Sequence, residues 1–442
     1  MDVSQLPELY HEHIRQLEAA YAELLGASGY DAIVIHSGQP KIRTEFDDQY
    51  WPLRVTPHFQ HWLPLAEADC ALVVEAGRRP KLIWTRPEDF WERPATPPGS
   101  HWQSQFEIVE VTKADAVKEH LPKERVAFVG ESRARATDWG FASADIAPTR
   151  LIEGLDQLRT RKSRYEVACL EEANRLAAIG HAALAAAFRS GDASELELHL
   201  AFLRATGQDD PETPYKNIVA LGENAATLHH ISYRKTPSPR SAGQSLLVDA
   251  GATYLGYCSD ITRTHVKGDS AGASAFASIV ASVEAFQQQL CAAVEVGQKY
   301  EGLHDRAHHH VASALKAAGV TRLSVEETVA AGITRTFFPH GLGHSLGLQC
   351  HDVGCALIKP RPDNPFLRNT TTIAEGQCFT IEPGIYFIDS LLRQLQNGPH
   401  GGAVDWPLAR ELATYGGVRI EDDLVVTGGR EVTRNLTREH LA

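Results

Sequence analysis

A hairpin-like segment over residues 245–266 constrains the fold of this chain most, because it places two aspartates among apolar strand residues. The segment reads SLLVDAGATYLGYCSDITRTHV, and each half has the composition of a buried strand. A turn centred between Tyr254 and Leu255 predicts that Asp249 and Asp260 face each other about 5 Å apart, where their carboxylates repel. The hairpin therefore predicts either a cation between the two carboxylates or one aspartate turned to solvent. An aspartate pair by itself favours the arrangement with one aspartate in solvent, so a metal site is predicted only if other candidate ligands are present in the chain.

A histidine-rich segment at 337–354 is the second unusual feature. His340, His344 and His351 lie within twelve residues, interleaved with glycines that allow a tight backbone path. Neutral imidazole is a common ligand for Mn²⁺, Co²⁺, Zn²⁺ and Fe²⁺, and other histidines can act as acids or oxyanion donors. One histidine on a core face is usually structural, but three with this spacing favour a functional site.

Two glutamates complete the set of candidate ligands. Glu382 stands among apolar residues in FTIEPGIYF, where a carboxylate must be solvated, paired or bound to metal. Glu421 follows Arg419 by two positions in GGVRIEDDLVV, so the two side chains share one face of a strand. Arg419 can therefore orient a carboxylate, and we count it among the candidate binding residues. An exposed strand of mixed charge is the alternative for this segment.

Four carboxylates and one imidazole, each in its own short motif, predict a metal centre. Hard oxygen ligands with a single imidazole favour Mn²⁺ or a similar ion over a zinc site built on thiolates. Two metal ions about 3.5–4 Å apart can bridge a hydroxide and polarise a carbonyl or phosphoryl oxygen. Hydrolysis is therefore the predicted reaction. The five candidate ligands are Asp249, Asp260, His344, Glu382 and Glu421.

Composition excludes several partners. The 442-residue chain has a formal net charge of −13, which argues against nucleic acid and against a basic membrane-binding face. Residues 1–26 have the pattern of an amphipathic helix and not of a signal peptide, and no apolar run approaches the roughly 20 residues of a membrane span. Seven scattered cysteines favour a reduced, cytoplasmic protein.

The pattern along the chain predicts two domains. A charged stretch at 159–167 places the boundary near 160. Residues 1–160 form a mixed α/β domain with strands at 30–38, 70–77, 80–87 and 125–132. Residues 161–442 form an α+β domain with an antiparallel sheet, because helices lie between groups of strand-like segments. The helices are predicted at 165–191, 194–207, 274–297 and 303–320, the second opened by a capping box of Ser194 and Glu197.

Two other patterns have a structural and a functional interpretation. A tract rich in aromatic residues and prolines at 50–64 is either a packed loop or a surface that reaches a neighbouring subunit, and we favour the packed loop. His304 and His308 have the i, i+4 spacing of a helical metal site, but a solvated helix face is the favoured interpretation.

The acidic and histidine motifs resemble those of the pita-bread metallopeptidases, a family that includes methionine aminopeptidase, aminopeptidase P and prolidase. Within it, the chain is most similar to the bacterial Xaa-Pro dipeptidases (prolidases), a group that includes the organophosphorus acid anhydrolases. The resemblance implies a pita-bread catalytic domain over 161–442 and a smaller N-terminal domain over 1–160 that supports dimerisation and pocket closure. It also implies a homodimer with two divalent ions per subunit, Mn²⁺ or alternatively Co²⁺ or Zn²⁺. The motifs are DAGATYLGYCSDITRTH, HGLGHSLGLQCHDVG, TIEPGIYF and GGVRIED.

Matched motif by motif, the resemblance assigns the five metal ligands. Asp249, Asp260, His344, Glu382 and Glu421 would hold the ions, with Asp260 and Glu421 bridging both. His344 is the ligand because the second histidine of HGLGH binds metal in the family. Glu382 would also be the general base acting on the bridging water.

The resemblance also assigns residues around the substrate. His351 would donate to the substrate carbonyl oxygen, and His229 would lie near the scissile bond. Arg368 would bind the C-terminal carboxylate, and Tyr215 would line the pocket. His340 remains a candidate acid or oxyanion donor. His230, directly after His229, departs from the aromatic residue that the family often has there.

The implied reaction is hydrolysis of a dipeptide before its C-terminal proline by a metal-bridging hydroxide. The Xaa-Pro nitrogen carries no hydrogen, so peptidases that bind this N–H recognise it poorly. Aminopeptidase P activity on longer peptides, and hydrolysis of organophosphate triesters as a main or side activity, are the enzymatic alternatives. A non-catalytic binding protein on the same fold is disfavoured because all five candidate ligands are present.

Overall fold

The structure is a computed structural model, and it describes residues 5–88, 90–91, 99–237, 243–354, 358–428 and 432–441. The chain divides into two compact units, Met1–Cys169 and Leu170–Ala442. Among the described residues, no helix combines the length and the apolar character needed to cross a bilayer.

The first unit contains a five-stranded mixed sheet with the order β4-β3-β2-β1-β5. Strands β1 and β5 are buried along their whole length, as their nearly continuous apolar sequences predict. Four of these strands confirm the sequence prediction, whereas β4 was missed because its two glutamates, Glu107 and Glu110, make the segment resemble an exposed loop. The strands are β1 (Ala32–His36), β2 (Ala71–Glu75), β3 (Lys81–Thr85), β4 (Glu107–Val111) and β5 (Val126–Val129). The helices are α1 (Leu6–Ser28), α2 (Pro57–Gln60), α3 (Arg133–Asp138) and α4 (Thr149–Arg159).

The aromatic tract at 50–64 is only partly a packed loop. Phe59 and Trp62 are fully buried in the first unit, as the packed-loop interpretation predicts. Tyr50 and Trp51 are instead 58% and 56% exposed. The difference follows from position, because Phe59 belongs to α2 whereas Tyr50 and Trp51 precede it in an irregular segment.

The second unit has the predicted α+β composition, and every strand pair described in it is antiparallel. Its two three-stranded sheets have the orders β10-β7-β6 and β11-β14-β15. The strands are β6 (Ile218–Leu221), β7 (Gly243–Asp249), β8 (Thr253–Tyr254), β9 (Tyr257–Cys258), β10 (Thr262–Gly268), β11 (Cys378–Ile381), β12 (Gly384–Tyr386), β13 (Gly417–Arg419), β14 (Asp422–Val426) and β15 (Thr433–Asn435).

The helices at the start of this region form where their end signals predict. Ser194 caps α6 through the predicted capping box, since its side chain accepts from the Glu197 amide and Glu197 accepts from the Ser194 amide. At the end of α5, Lys267 donates to two free carbonyl oxygens. The helices are α5 (Arg164–Ser190), α6 (Glu195–Thr206), α7 (Ala271–Ala292), α8 (Tyr300–Ala317), α9 (Val325–Ala330), α10 (Thr334–Phe337), α11 (Asp389–Asn397) and α12 (Trp406–Ala413).

The register of the aspartate hairpin differs from the prediction by two positions. Asp249 pairs with Thr262 and not with Asp260. The turn is centred one residue later than predicted, because Leu255 and Gly256 both take positive φ (49° and 93°) in the turn that joins β8 to β9. A shift of two keeps the side chains on the same face of the strand, so both aspartates still point to one side.

The interpretation of His304 and His308 as a solvated face is wrong. Both side chains are buried, with ring centres 4.7 Å apart, and both pack against Phe338. They share the buried stripe of α8 with Leu303 and Ala307, which the i, i+3 and i, i+4 spacing of the apolar residues would have indicated.

Candidate metal centre

Strand ends bring the predicted metal ligands together. Asp249 ends β7, Asp260 precedes β10, Glu382 follows β11, and Glu421 precedes β14. A bridge between Thr262 and Glu421 joins two of these segments. Because acidic residues at strand ends leave the apolar strand interiors intact, the sheets can pack normally around a polar centre.

His344 lies at the middle of this group. Its Nε2 atom is 3.3 Å from Asp260 Oδ2, 3.7 Å from Glu382 Oε1 and 3.9 Å from Glu421 Oε1. The other ring nitrogen, Nδ1, donates to the Ser345 carbonyl at 3.1 Å. A histidine whose Nδ1 is held by a carbonyl presents Nε2 in the orientation of a metal ligand. One ligand atom each from Asp260, His344 and Glu421 lies within 4.8 Å of the others, and all three residues are buried.

Asp249 is tied to this group by two neighbours. Arg419 Nη2 donates to Asp249 Oδ2 at 2.5 Å, and the Tyr215 hydroxyl contacts Asp249 Oδ1 at 2.7 Å and Asp260 Oδ1 at 2.5 Å. A phenol has one hydrogen, so Tyr215 can donate to only one of these two carboxylates at a time. The contacts place both aspartates of the hairpin around one hydroxyl group.

Burial, and to a smaller extent repulsion between neighbouring acids, shifts the pKa values of the carboxylates. Burial and the neighbouring acids raise the pKa of Asp249 to about 6, that of Glu382 to about 7, and that of Glu421 well above its usual value. Burial also acts to raise the pKa of Asp260, but the hydrogen bond from His344 outweighs it and the pKa falls to about 2.

His344 responds to the same carboxylates in the opposite direction. Burial lowers its pKa, but Asp260 and Glu382 more than compensate and raise it to about 9. Without metal, protons must therefore neutralise the centre, on His344 and on Glu421. Divalent cations would replace these protons, so this donor set fits a divalent metal.

His340 is held in a directional chain of hydrogen bonds. Arg419 Nη1 donates to the Tyr386 hydroxyl, Tyr386 donates to His340 Nε2, and His340 Nδ1 donates to the Gly341 carbonyl, each at 2.8–2.9 Å. Burial lowers the pKa of His340 to about 3, so the ring is neutral. Both its nitrogens are occupied, and Glu382 lies 3.8 Å from Nδ1. In this arrangement His340 orients Tyr386 and Arg419.

His351 and Arg368 form a second pair beside the centre. Arg368 Nη1 lies 2.9 Å from His351 Nδ1, and an arginine can only donate, so Nδ1 is the acceptor and Nε2 carries the ring hydrogen. Burial, His344 and Arg368 lower the pKa of His351 to about 4. The His351 ring is 4.4 Å from the His344 ring. The structure thus brings the predicted carboxylate-binding arginine next to the predicted oxyanion donor.

The adjacent histidines His229 and His230, which follow β6, have different surroundings. His229 is exposed, and its electrostatic effect contributes a little to lowering the pKa values of His340 and His351. His230 Nε2 bonds to Glu195 Oε2 at 2.9 Å and has a structural partner. His230, which replaces the aromatic residue that the family often has at this position, therefore contacts the first residue of α6, Glu195.

Several residues around the centre were missed by sequence reasoning. Thr262 accepts from Arg419 Nε and donates to Glu421 Oε2 at 2.6 Å. Asp423 accepts from the Asp260 amide and from the Asn174 side chain. Asp423 lies in the same IEDD motif as Glu421, so the sequence could have indicated it. Asn174 lies in α5, far from the motif in sequence, and reaches Asp423 only through tertiary packing.

Sequence profiles identify the family. The profile of metallopeptidase family M24 matches residues 168–428, and that of the Xaa-Pro dipeptidase N-terminal domain matches residues 8–157. The chain therefore belongs to metallopeptidase family M24. This confirms the predictions of a pita-bread fold and of a metallopeptidase.

Several proteins of known name are similar to this chain in sequence or in fold. The chain is 40% identical to the Xaa-Pro dipeptidase of Pseudoalteromonas atlantica and 38% identical to that of Aeromonas hydrophila, over 99% of both chains in each case. Its fold is similar to proline aminopeptidase P II from Yersinia pestis, with a TM-score of 0.73 and 21% identity over 98% of this chain and 97% of that chain. Zinc-substituted aminopeptidase P from E. coli, in complex with product, has a TM-score of 0.71 and 20% identity over 98% and 96% of the two chains. At such identity the solved structures show the fold alone.

Proposed function

We propose that this protein is a dinuclear metal-dependent Xaa-Pro dipeptidase. The observation that carries the proposal is the convergence of Asp260, His344 and Glu421 within 4.8 Å, with Glu382 Oε1 3.7 Å from the same imidazole. Relatives called Xaa-Pro dipeptidase match nearly the whole chain at about 40% identity, which supports this substrate class over others in the family.

Charge supports two ions in the centre. Arg419 contacts Asp249 and Glu421, so its guanidinium offsets one of four carboxylates, of which Asp249, Asp260 and Glu421 are buried and Glu382 is half-buried. The remaining three negative charges exceed what a single divalent ion neutralises, and uncompensated buried charge is costly. Asp249, Asp260, His344, Glu382 and Glu421 would hold the ions, and their oxygen-rich chemistry favours Mn²⁺. When bound, the ions would supply Lewis acidity and a water of lowered pKa.

The residues around the centre suit a dipeptide with a free C-terminal carboxylate. Arg368 is exposed and can donate two hydrogen bonds to that carboxylate, fixing its distance from the centre. His351, neutral and with its hydrogen on Nε2, would donate to the scissile carbonyl oxygen. Glu382 would accept the proton of the attacking water. His229 and Tyr215 would line the pocket, and His340 and Arg419 would keep the carboxylates in position.

A panel of substrates tests the proposal. Purified protein loaded with Mn²⁺ is given several Xaa-Pro dipeptides, an Xaa-Pro-Xaa tripeptide and a phosphotriester, and hydrolysis is followed by proline or leaving-group release. We expect the dipeptides to be hydrolysed fastest and the phosphotriester only as a side activity. Faster cleavage of the tripeptide would assign aminopeptidase P activity instead, and a dominant phosphotriester activity would also reject the proposal.

Replacing Asp260, one of the proposed ligands, tests the metal centre itself. Asp260→Asn keeps the size of the side chain but removes a charge, so we expect activity to fall by at least about 100-fold. Bound metal, measured by elemental analysis, should fall with it while the far-ultraviolet circular dichroism spectrum stays unchanged. Full activity in this variant would contradict the assignment of Asp260 as a ligand.

We also propose that the protein is a cytoplasmic homodimer, with residues 1–160 supporting dimerisation and pocket closure. The exposed aromatic side chains of Phe46, Tyr50 and Trp51 support a protein interface, since large apolar side chains exposed together are typical of one. Light scattering of the purified protein would give the mass, and a monomer at micromolar concentration would reject the homodimer.

A further inference from the structure

A thiol lies beside the candidate metal centre and takes no part in the proposed reaction. Cys350 Sγ donates to Asp260 Oδ2 at 3.0 Å. One ligand atom each from His344, Cys350 and His351 lies within 4.8 Å of the other two. The three residues range from buried His344 through half-buried Cys350 to exposed His351, so the group is open to ions from solvent. This thiol is a donor type that the carboxylate centre lacks.

One thiolate and two imidazoles are the donors that soft ions prefer. With metal–sulfur and metal–nitrogen bonds of about 2.3 and 2.0 Å, donors around a tetrahedral zinc ion are about 3.5 Å apart. The three ligand atoms already lie within 4.8 Å of one another, so side-chain rotations could bring them to this separation, with a fourth position left for water. Carboxylates and water suit Mn²⁺, whereas a thiolate selects Zn²⁺ and similar ions. The two donor sets therefore discriminate between classes of metal.

We propose that His344, Cys350 and His351 form an inhibitory site for thiophilic divalent cations such as Cd²⁺ and Zn²⁺. The site shares His344 with the carboxylate centre, so a soft ion competes with the hard ions for this imidazole. On binding, the Cys350 thiol releases its proton to solvent and a metal–sulfur bond forms.

Occupation of this site would also disable the substrate-binding pair. Arg368 donates to His351 Nδ1, which leaves the ring hydrogen on Nε2. Coordination through Nε2 requires that nitrogen to lose its proton to solvent while Nδ1 gains one, and the contact with Arg368 is then lost. A bound soft ion would thus remove His351 as a donor and release Arg368.

Metal binding can be tested without turnover. Metal-free protein is titrated with Cd²⁺, and the ultraviolet charge-transfer absorption of a cadmium–thiolate bond is recorded. We expect about one equivalent of Cd²⁺ to saturate this band. Cys350→Ser and Cys350→Ala should abolish it, and the matched variant Cys258→Ser should retain it, since Cys258 is a buried neighbouring thiol outside the group. A band that persists in both Cys350 variants, or is absent from the natural protein, would overturn the site.

The inhibitory role of the site rests on the proposed dipeptidase function, so inhibition is measured in an experiment separate from the absorption titration. Each Mn²⁺-loaded variant is compared with its own uninhibited rate on an Xaa-Pro dipeptide. We expect Cys350→Ser to need at least about tenfold more Cd²⁺ for half inhibition than Cys258→Ser or the natural protein. Equal sensitivity of all three would overturn the inhibitory role. Failure of the natural protein to hydrolyse any dipeptide would instead count against the proposed function, while the absorption experiment still decides the site.

Discussion

Arg419 connects three groups of the candidate centre through one guanidinium. It donates to Asp249, Thr262 and Tyr386, and it is nearly fully buried. A buried arginine of this kind orients its partners as well as balancing their charge, because the donors of its planar guanidinium point in set directions. Arg368, the arginine proposed to bind substrate, differs in being exposed and in contacting His351.

Removing Arg368 should affect binding of dipeptides selectively. Hydrogen bonds to a charged partner contribute about 1.5–3 kcal/mol, so Arg368→Ala should raise KM for an Xaa-Pro dipeptide by about 10- to 100-fold. Steady-state kinetics on the dipeptide and its C-terminal amide measure this, and the amide should lose little. As a control, Arg393→Ala removes a surface arginine paired with Asp389 in α11. Equal losses on both substrates would remove Arg368 from carboxylate recognition.

The raised pKa of His344 predicts how metal-free protein depends on pH. The folded pKa is about 9 and the usual value is 6.5, so the folded state binds the proton more tightly. This contribution to stability is complete below pH 6.5 and is lost as pH rises toward 9. Urea unfolding of metal-free protein should therefore show stability falling between pH 7 and 8.5. With saturating Mn²⁺ the decline should be smaller, and a decline unaffected by metal would place the titrating group elsewhere.

The hairpin from β7 to β10 sets the distance between two of the proposed ligands, Asp249 and Asp260. Gly251 lies between Asp249 and Asp260, and a Cβ there would be 2.0 Å from the Ser259 carbonyl oxygen. Because this contact is to backbone, a side chain can fit only by moving the strands apart. The glycine of the DAG motif is thus required by close packing of the chain with itself.

Gly251→Ala should therefore weaken both the fold and metal binding. Overpacking of this kind costs about 1–3 kcal/mol, which urea unfolding would measure. Metal affinity should fall as the two aspartates separate. Gly302→Ala in α8 is the matched control, since its nearest neighbour would be 3.9 Å away and alanine favours a helix. Unchanged stability and metal affinity in Gly251→Ala would show that the hairpin relaxes without cost.

The two units have separate hydrophobic cores. One cluster of buried residues includes Val34, Val73 and Phe128 in the first unit, and another includes Phe276, Val311 and Leu424 in the second. Two cores predict that unfolding is not a single two-state transition. Every residue proposed as a metal ligand belongs to the second unit.

Metal should accordingly stabilise one unit in particular. Six of the seven tryptophans lie within residues 1–169, and Trp406 is the seventh, so tryptophan fluorescence reports mainly on the first unit. Circular dichroism at about 222 nm reports on helices. We expect added Mn²⁺ to raise the thermal midpoint measured by circular dichroism more than the midpoint measured by tryptophan fluorescence. Equal shifts by both probes would indicate that the units unfold together.

The amino-acid sequence alone was enough to predict the ligands of the candidate metal centre. Asp249, Asp260, His344, Glu382 and Glu421 stand in short motifs whose apolar surroundings leave few uses for a charged side chain, so they could be selected without coordinates. Strand and helix positions followed for the same local reason, since alternation, caps and glycine stops are properties of neighbouring residues.

The side chains that hold those ligands in place could be identified only from contacts in the folded protein. Asn174 and Asp423 are 249 positions apart in the chain yet hydrogen-bonded, and no local pattern could have paired them. Even the hairpin register depended on Leu255 accepting a positive φ, and the burial of His304 and His308 depended on what packs over α8. Local composition selects residue types and elements, whereas contacts between distant segments arise only when the chain folds on itself.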